Sequence, residues 1–358
     1  MKTTVVLGTR PEIIKLAPII KLLNKKSTSV IFTGQHYDFD MGLKFFQQLG
    51  IRKPDYSLRI TRTDPSSQIA DIINKVSVIL KKESPETVIV QGDTNTVLGA
   101  SISSLKSNIP ISHVESGLRS FDWRMPEEHN RIAVDHLSEI LFAPTKNAKN
   151  NLISENVHGT IHVVGNTVID AVNTFSKISH KKTNVDIMID DYILTTLHRS
   201  ENVDNQKILS QIIHALLSCN EEIIFPIHPR TKKRLKEFHL YEKLVNSKNI
   251  MILDAVGYFE MLELMKHCKF ILTDSGGLQE EATAPSIRKK TIVMRKTTDR
   301  PETISTGFSE LVGVSSSKIL SSIKKSSNSP EIIPKNSPYG SGNSSERIVH
   351  YLRKTFNS

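Results

Sequence analysis

Cysteine is nearly missing from this chain: Cys219 and Cys268 are the only two in 358 residues. A disulfide framework is thereby excluded as the organising element, and both thiols fall in apolar helical stretches where buried free cysteines are expected. The 13 histidines are scattered and never share metal-ligand spacing with the cysteines, so no metal site is expected. Aromatic residues make up 6% of the chain, with one Trp. Despite a net charge of +10, no aromatic-interleaved basic stripe appears, and nucleic acid is not an expected partner. An anionic small ligand suits the same charge. No apolar run approaches the length of a membrane span. The opening MKTTVVLGTRPE has one Lys and a short β-branched run, without the long apolar core and cleavage site of a signal peptide. The expectation is a cytoplasmic protein that does not engage membranes.

What the chain has is alternation. Short apolar runs end in Gly or a polar residue, and each is followed by a segment with helical spacing. TTVVLG, SVIFTG, TVIVQGD, IPISHVES, EILFAPT and IHVVGN read as strands in the first half. YILTTLH, EIIFPIH, NIMILDA, KFILTDS and KTIVMR read as strands in the second. The helices between them include one starting at Pro11-Glu12, with Pro18 as a point of bending. Strand–helix alternation implies parallel sheets covered on both faces. A polar stretch, HKKTNVD, breaks the series, and the junction is placed within 168–186. The expected fold class is α/β, with two Rossmann-like doubly wound domains facing a cleft. Residues 1–170 form the first domain and 171–342 the second. The stretch 315–345 reads as a polar tail, and a terminal helix at 343–358 is expected to pack back on the first domain.

Ligands in this architecture sit beyond strand C-terminal ends. Strand-end residues are therefore the candidates: Arg10 and Lys15 after the first strand, Asp93 after TVIVQG, Glu115 after ISHV, and Glu127 in MPEEHNR. The second half offers His198 after TTL, and Asp274, Ser275, Gly276 and Gly277 after FILT. Singly, each has an ordinary structural use: Asp93 as a helix cap, Glu127 at a helix dipole, His198 as a satisfied strand-end residue. Jointly they suggest proton transfer in one domain and diphosphate binding in the other. Crowded, buried carboxylates are expected to raise one another's pKa so that one stays protonated.

In LTDSGGLQEEA, Gly276 and Gly277 let main-chain N–H groups approach a phosphate, with Ser275 adding a hydroxyl. Two carboxylates, Glu280 and Glu281, follow directly behind. A carboxylate touching the phosphate would repel it. One pointing past it could accept both hydroxyls of a ribose, and Glu281 is the expected ribose acid.

The blocks GTRPEIIKLAPII, TGQHYD, QGDTNTVLGA, HVESGLRS, MPEEHNR, VVGNTVIDA, TLHRSENVDN, HPRTKKRLKEF, LTDSGGLQEEA and RPET resemble the non-hydrolysing UDP-N-acetylglucosamine 2-epimerases, most closely archaeal members, over nearly the full chain. The resemblance implies the GT-B arrangement of two Rossmann-like domains, usually as a homodimer. It also implies interconversion of UDP-N-acetylglucosamine and UDP-N-acetylmannosamine without NAD or another cofactor. The implied route is anti elimination of UDP to 2-acetamidoglucal, followed by re-addition. By motif, Asp93, Glu115 and Glu127 match the catalytic carboxylates, which of them is acid and which base staying open. Arg10 and Lys15 match the GTRPE-block cations, and His198 the HR histidine near the diphosphate. Ser275, Gly276 and Gly277 match the phosphate turn, Glu281 the ribose acid and Arg300 the RPE arginine. Uracil contacts are placed near Val256-Gly257-Tyr258. Gln35-His36-Tyr37 departs from the Gln-His-Arg of some bacterial members, a segment tied there to activation by substrate. Related UDP sugars (a 2,3-diacetamido or uronate form) are alternative substrates, and a GT-B glycosyltransferase is the alternative reaction class.

Overall fold

The computed structural model describes residues 1–34, 39–183, 191–328 and 333–356. Gln35-His36-Tyr37 lies outside the described residues. The chain divides into two compact units, Met1–Ala171 with Tyr339–Ser358, and Val172–Pro338.

The first unit holds seven strands: β1 (Thr3–Leu7), β2 (Thr28–Phe32), β3 (Tyr56–Ser57), β4 (Thr87–Gln91), β5 (Ile111–Val114), β6 (Ile140–Ala143) and β7 (Thr160–Val163). They pair in parallel in the order β3-β2-β1-β4-β5-β6-β7. The second unit holds β8 (Ile193–Thr196), β9 (Ile223–Pro226), β10 (Ile250–Leu253), β11 (Phe270–Thr273), β12 (Thr291–Val293) and β13 (Ser309–Leu311), in the order β10-β9-β8-β11-β12-β13 and again parallel. The central strands read as unbroken apolar runs because helices cover both faces of a parallel sheet. Every residue of β1, β4, β5 and β6 is buried, as is every residue of β8, β9, β11 and β12.

Each sheet reverses its winding once, between β1 and β4 in the first unit and between β8 and β11 in the second. The crevice at such a reversal is where doubly wound sheets take ligands. Register makes the paired turns level. Thr196 lies opposite Thr273, so the turns beginning at Leu197 and Asp274 leave the second sheet side by side.

The 315–345 stretch is not a polar tail throughout, since Ser316–Asn328 is a helix. Ile319 and Ile323, four residues apart, are buried in the second unit's core, and this single apolar stripe sits among serines and lysines that mask it. The terminal helix Ser344–Phe356 belongs to the first unit. Asp170 accepts the main-chain N–H groups of Ser344 and Ser345 at its start, and Tyr351 stacks on His162 of β7 with ring centroids 4.0 Å apart. Cys219 and Cys268 are free and buried, and burial pushes the Cys268 thiol up to about 12. Among the described residues no helix is long and apolar enough to cross a membrane.

Candidate active site

In the first unit the two reversal turns are Gly8-Thr9-Arg10 after β1 and Gly92-Asp93-Thr94 after β4. Only glycine fits at position 8, where a Cβ would come 2.2 Å from Thr96 Oγ1 and 2.4 Å from Thr33 Oγ1. Glu12, in the first turn of the helix Arg10–Leu22, reaches back to the N–H groups of Gly8 and Thr9 and accepts the Thr94 hydroxyl. One carboxylate thus ties both turns together. The N-cap of the following helix is Thr94, which leaves the Asp93 carboxylate for other use. Asp93 forms an ion pair with Arg131, and its carbonyl accepts the Asn130 amide at 2.9 Å.

Glu115, just past β5, sits in the left-handed region with φ 71°. A non-glycine residue there costs about 1–3 kcal/mol, a strain that clusters at functional positions. Its carboxylate lies 2.5 Å from Lys15 Nζ and accepts the side-chain amides of Gln91 at 3.1 Å and Asn166 at 3.3 Å. Lys15 reaches Glu115 from the helix after β1, two strands along the sheet, and both side chains are largely buried. The structure brings Lys15 and Glu115, separate in the sequence, into one ion pair.

Asp93 and Glu115 each face a cation of their own, Arg131 and Lys15. The carboxyl pushed upward is Glu12, from 4.5 to about 7. Burial drives that shift, the Thr94, Gly8 and Thr9 donors oppose it, and the Asp93 charge adds to it. Of the acids at the start of the helix Pro126–Leu137, it is Glu128 that turns inward. It accepts from Ser120 and Phe121 main-chain N–H and from Arg131 at 3.0 Å. Glu127 is exposed and has no hydrogen-bond or ion-pair partner among the described residues. Arg131, which joins Asp93 to Glu128, went unassigned in the sequence. Its signal was position, three residues after Glu128 and so on the same helix face.

Glu12 gives the first unit a pH dependence of definite sign. A carboxyl whose folded pKa is raised binds more protons folded than unfolded, so its stabilising effect is full below 4.5 and lost as pH rises to about 7. The loss across that window is expected to be on the order of 3 kcal/mol. Thermal melts from pH 4.5 to 7.5 measure it, and Glu12→Gln should flatten the slope in that range. An unchanged slope in the variant would remove Glu12 as its source.

The second unit repeats the device. Asp274, at the end of β11 and fully buried, accepts the main-chain N–H groups of His198 (3.1 Å) and Arg199 (2.9 Å) and the Asn202 amide (3.2 Å). His198 Nδ1 lies 3.1 Å from the same carboxylate, which fixes the ring at the end of β8. Burial pushes Asp274 upward, but the His198 contact and these N–H donors outweigh it and hold the carboxyl below its usual range. Ser275 caps the helix Gly276–Glu281 by accepting from Leu278 N–H, and Gly276 and Gly277 are its first two residues. Glu281 ends that helix half-buried.

Glu280, directly before it, is fully buried with its Oε1 2.5 Å from Arg300 Nε, while Arg300 Nη1 lies 2.9 Å from Asp299. The pair of acids behind the glycine turn therefore divides its work: Glu280 anchors the Arg300 loop, and Glu281 is left nearer the surface. Arg300 is braced by carboxylates rather than standing open, and Asp299, despite burial, is held far below the usual carboxylate range by Arg300, Arg295 and Arg199.

A cavity of about 220 Å³ in this unit is lined by His198, Pro226, His228, Val256, Ser275 and Leu278 among others. Its walls are apolar, with the His198 and His228 rings 5.9 Å apart at the polar side. Burial, then the neighbouring His198 and Arg230, push the His228 ring below its usual range, and its Nδ1 accepts Arg230 N–H at 3.2 Å. The slot suits a flat heteroaromatic ring with polar edges. Tyr258, at the start of the helix Tyr258–His267, packs edge-on to Phe175 and Phe259 and is buried. Arg10 lies exposed with its guanidinium 5.0 Å over the Phe45 ring. Among the described residues no group of three or more His, Cys, Asp or Glu could hold a metal ion.

Two doubly wound sheets, each with a buried carboxylate locking its reversal turns and polar side chains gathered beyond the strand ends, define a Rossmann-like α/β protein, a class that takes ligands at such ends. The family model described as UDP-N-acetylglucosamine 2-epimerase matches residues 21–353, and the chain belongs to that family. It is an enzyme of the isomerase class. It is 46% identical to the UDP-N-acetylglucosamine 2-epimerase of Methanocaldococcus jannaschii over 98% of this chain and 99% of that protein. A crystal structure of the M. jannaschii enzyme in complex with UDP-GlcNAc and UDP superposes with a TM-score of 0.88 at 45% identity, covering 99% of this chain and all of that one. Identity to the UDP-2,3-diacetamido-2,3-dideoxy-D-glucuronate 2-epimerase of Pseudomonas aeruginosa is 36%, over 99% of this chain and 100% of that protein.

Proposed function

We propose that the enzyme interconverts UDP-N-acetylglucosamine and UDP-N-acetylmannosamine by anti elimination and re-addition of UDP. The observation that carries this reading is the likeness, along nearly the whole chain, to a protein solved with UDP-GlcNAc and UDP. One carboxylate removes the proton from carbon 2 of the sugar. The carbon 1–oxygen bond breaks, its electron pair leaves with the diphosphate, and a carbon 1–carbon 2 double bond forms. In the return step a diphosphate oxygen attacks carbon 1, and a proton reaches carbon 2 on the opposite face. The carbon-2 proton is weakly acidic, so stabilising the departing diphosphate must share the work.

Asp93, Glu115 and Glu127 supply the proton-transfer groups in this scheme, with Lys15 balancing the charge on Glu115. His198, Ser275, Arg10, Arg300 and the N–H groups of Gly276 and Gly277 hold the diphosphate. Glu281 takes the ribose hydroxyls. The slot beside Val256 and His228 takes the uracil, a placement that leaves Tyr258 behind it as packing.

Turnover of UDP-N-acetylglucosamine in deuterated water, followed by proton NMR, tests the scheme. Deuterium is expected at carbon 2 of both epimers. A product that keeps its original hydrogen quantitatively excludes elimination. A panel that includes the 2,3-diacetamido uronate sugar tests the substrate, and exclusive turnover of that sugar would overturn the assignment.

A further inference from the structure

Behind the turns that carry Asp93 and Glu115 runs a buried polar chain that the scheme above does not use. His113, in β5, has Nε2 2.9 Å from the Gly92 carbonyl oxygen and Nδ1 2.7 Å from Asp135 Oδ1. The other Asp135 oxygen accepts Gly117 N–H at 3.0 Å and lies 2.8 Å from Arg119 Nη1. Arg119 continues to Glu155, with Nε 2.7 Å from Oε1 and Nη2 2.5 Å from Oε2, and donates to the Leu118 carbonyl at 2.6 Å. The side chains of His113, Asp135 and Arg119 are wholly shielded from solvent.

The ends of this chain decide its meaning. Gly92 precedes Asp93, and Gly117 follows Glu115 by two residues. Gly92, Glu115 and Gly117 all have left-handed backbones, with φ of 82°, 71° and 80°. A Cβ at Gly117 would come 2.3 Å from the Ala148 carbonyl oxygen. Both turns are therefore confined conformations held from the rear. The His113 ring touches one through Gly92, and Asp135 touches the other through Gly117.

The ring also faces an acceptor at each nitrogen. A carbonyl oxygen only accepts, and an ionised carboxylate only accepts. One proton must lie on the Nε2–Gly92 line and a second on the Nδ1–Asp135 line. A neutral ring beside an ionised carboxylate would leave one of these lines without a proton.

We propose that His113 and Asp135 are positioning residues of the epimerisation: as a pair holding two protons, they lock the Asp93 turn to the Glu115 turn. The proposal rests on the function assigned above. It differs from a merely structural pair in what it predicts for turnover, since proton-transfer groups misplaced by a fraction of an ångström lose rate before they lose affinity.

The test has two arms. In the native enzyme labelled with 15N-histidine, long-range 1H–15N correlation should show protons on both His113 nitrogens, assigned by the signals missing from His113→Gln. A ring lacking the Nε2 proton, or one with a bare Nδ1 beside an Asp135 carboxyl whose 13C shift reads ionised, overturns the two-proton pair. In His113→Gln, whose amide can donate to only one of the two acceptors, kcat is expected to fall about 10- to 100-fold with KM changed less than about 3-fold. Asp135→Asn should do the same, and if it fails to fold, His113→Gln carries the kinetic test. A lowered melting temperature with kcat and KM both unchanged overturns the positioning role. Absence of UDP-N-acetylglucosamine turnover in the wild type would defeat the assigned function instead, and the spectrum of the same sample would still decide the proton pair.

Discussion

Replacing Glu115 by Gln is expected to lower kcat for epimerisation by about 10²- to 10⁴-fold, the range in which a positioned proton-transfer group contributes. Gln keeps the volume, and its amide oxygen still accepts from Lys15, Gln91 and Asn166, so the fold around β5 should survive. What disappears is the charge and the ability to take or give a proton. Lys15 then faces a neutral amide in a site where both side chains are about one-tenth exposed or less. That uncompensated cation is expected to cost on the order of 1–3 kcal/mol of stability. The two effects separate in the pair Lys15→Met with Glu115→Gln, which should recover stability and leave activity as low as the single variant. Activity is read by NMR on the sugar and stability by thermal melting. Retention of more than about a tenth of wild-type kcat in Glu115→Gln would take Glu115 out of the proton-transfer set, since even the weakest such groups contribute more.

The central strands were legible because a parallel sheet buried on both faces writes itself as runs such as TVIVQ and FILT, closed by Gly or a polar residue. Those same closures mark the C-terminal ends of the strands, which is why Asp93, Glu115, Lys15 and His198 became candidates by position alone. The edges were not legible. β3 has two residues and β13 three, too few to carry a period, and each needs its neighbour strand to exist.

The partners of the site residues were hidden for a different reason. Glu12 reads correctly as a helix-start acid, but its contact with Thr94 spans 82 positions. Asp274 meets His198 across 76 positions, and Asp135 meets His113 across 22. Nothing local distinguishes such acids from ordinary caps. Glu127 and Glu128 show the same limit at one-residue resolution, because adjacent acids at a helix start leave open which one the helix turns inward. Tyr258 shows the same limit, because nothing local in the sequence says that at the start of the helix Tyr258–His267 its ring packs against Phe175.

Asp274→Ala is expected to be the most damaging single change in the second unit. It strands two main-chain N–H groups and the Asn202 amide in a fully buried place, and it removes the partner of the His198 ring. Each unsatisfied group costs about 1–3 kcal/mol, so the sum is on the order of 3–5 kcal/mol once the turn relaxes. At about 2–4 °C per kcal/mol for a unit of this size, the melting transition should fall by roughly 10 °C.

The acid limb carries a second signature. The folded pKa of Asp274 is depressed, so its contribution is present above the unfolded value near about 3.9 and lost as pH falls through the folded one. Wild-type stability should therefore drop on acidification below about pH 4, and the variant should show a shallower drop, opposite in direction to the slope that Glu12 imposes on the first unit. Function should follow structure here, because Asp274 sets both turns that present His198 and Ser275. At a temperature where the variant remains folded, calorimetric titration with UDP is expected to show affinity weakened by about 100-fold, or roughly 2.7 kcal/mol. A folded Asp274→Ala protein that binds UDP as tightly as the wild type would place the nucleotide somewhere other than the β8–β11 reversal. The proposed division of labour between proton-transfer acids and a diphosphate-holding turn would then lose its second half.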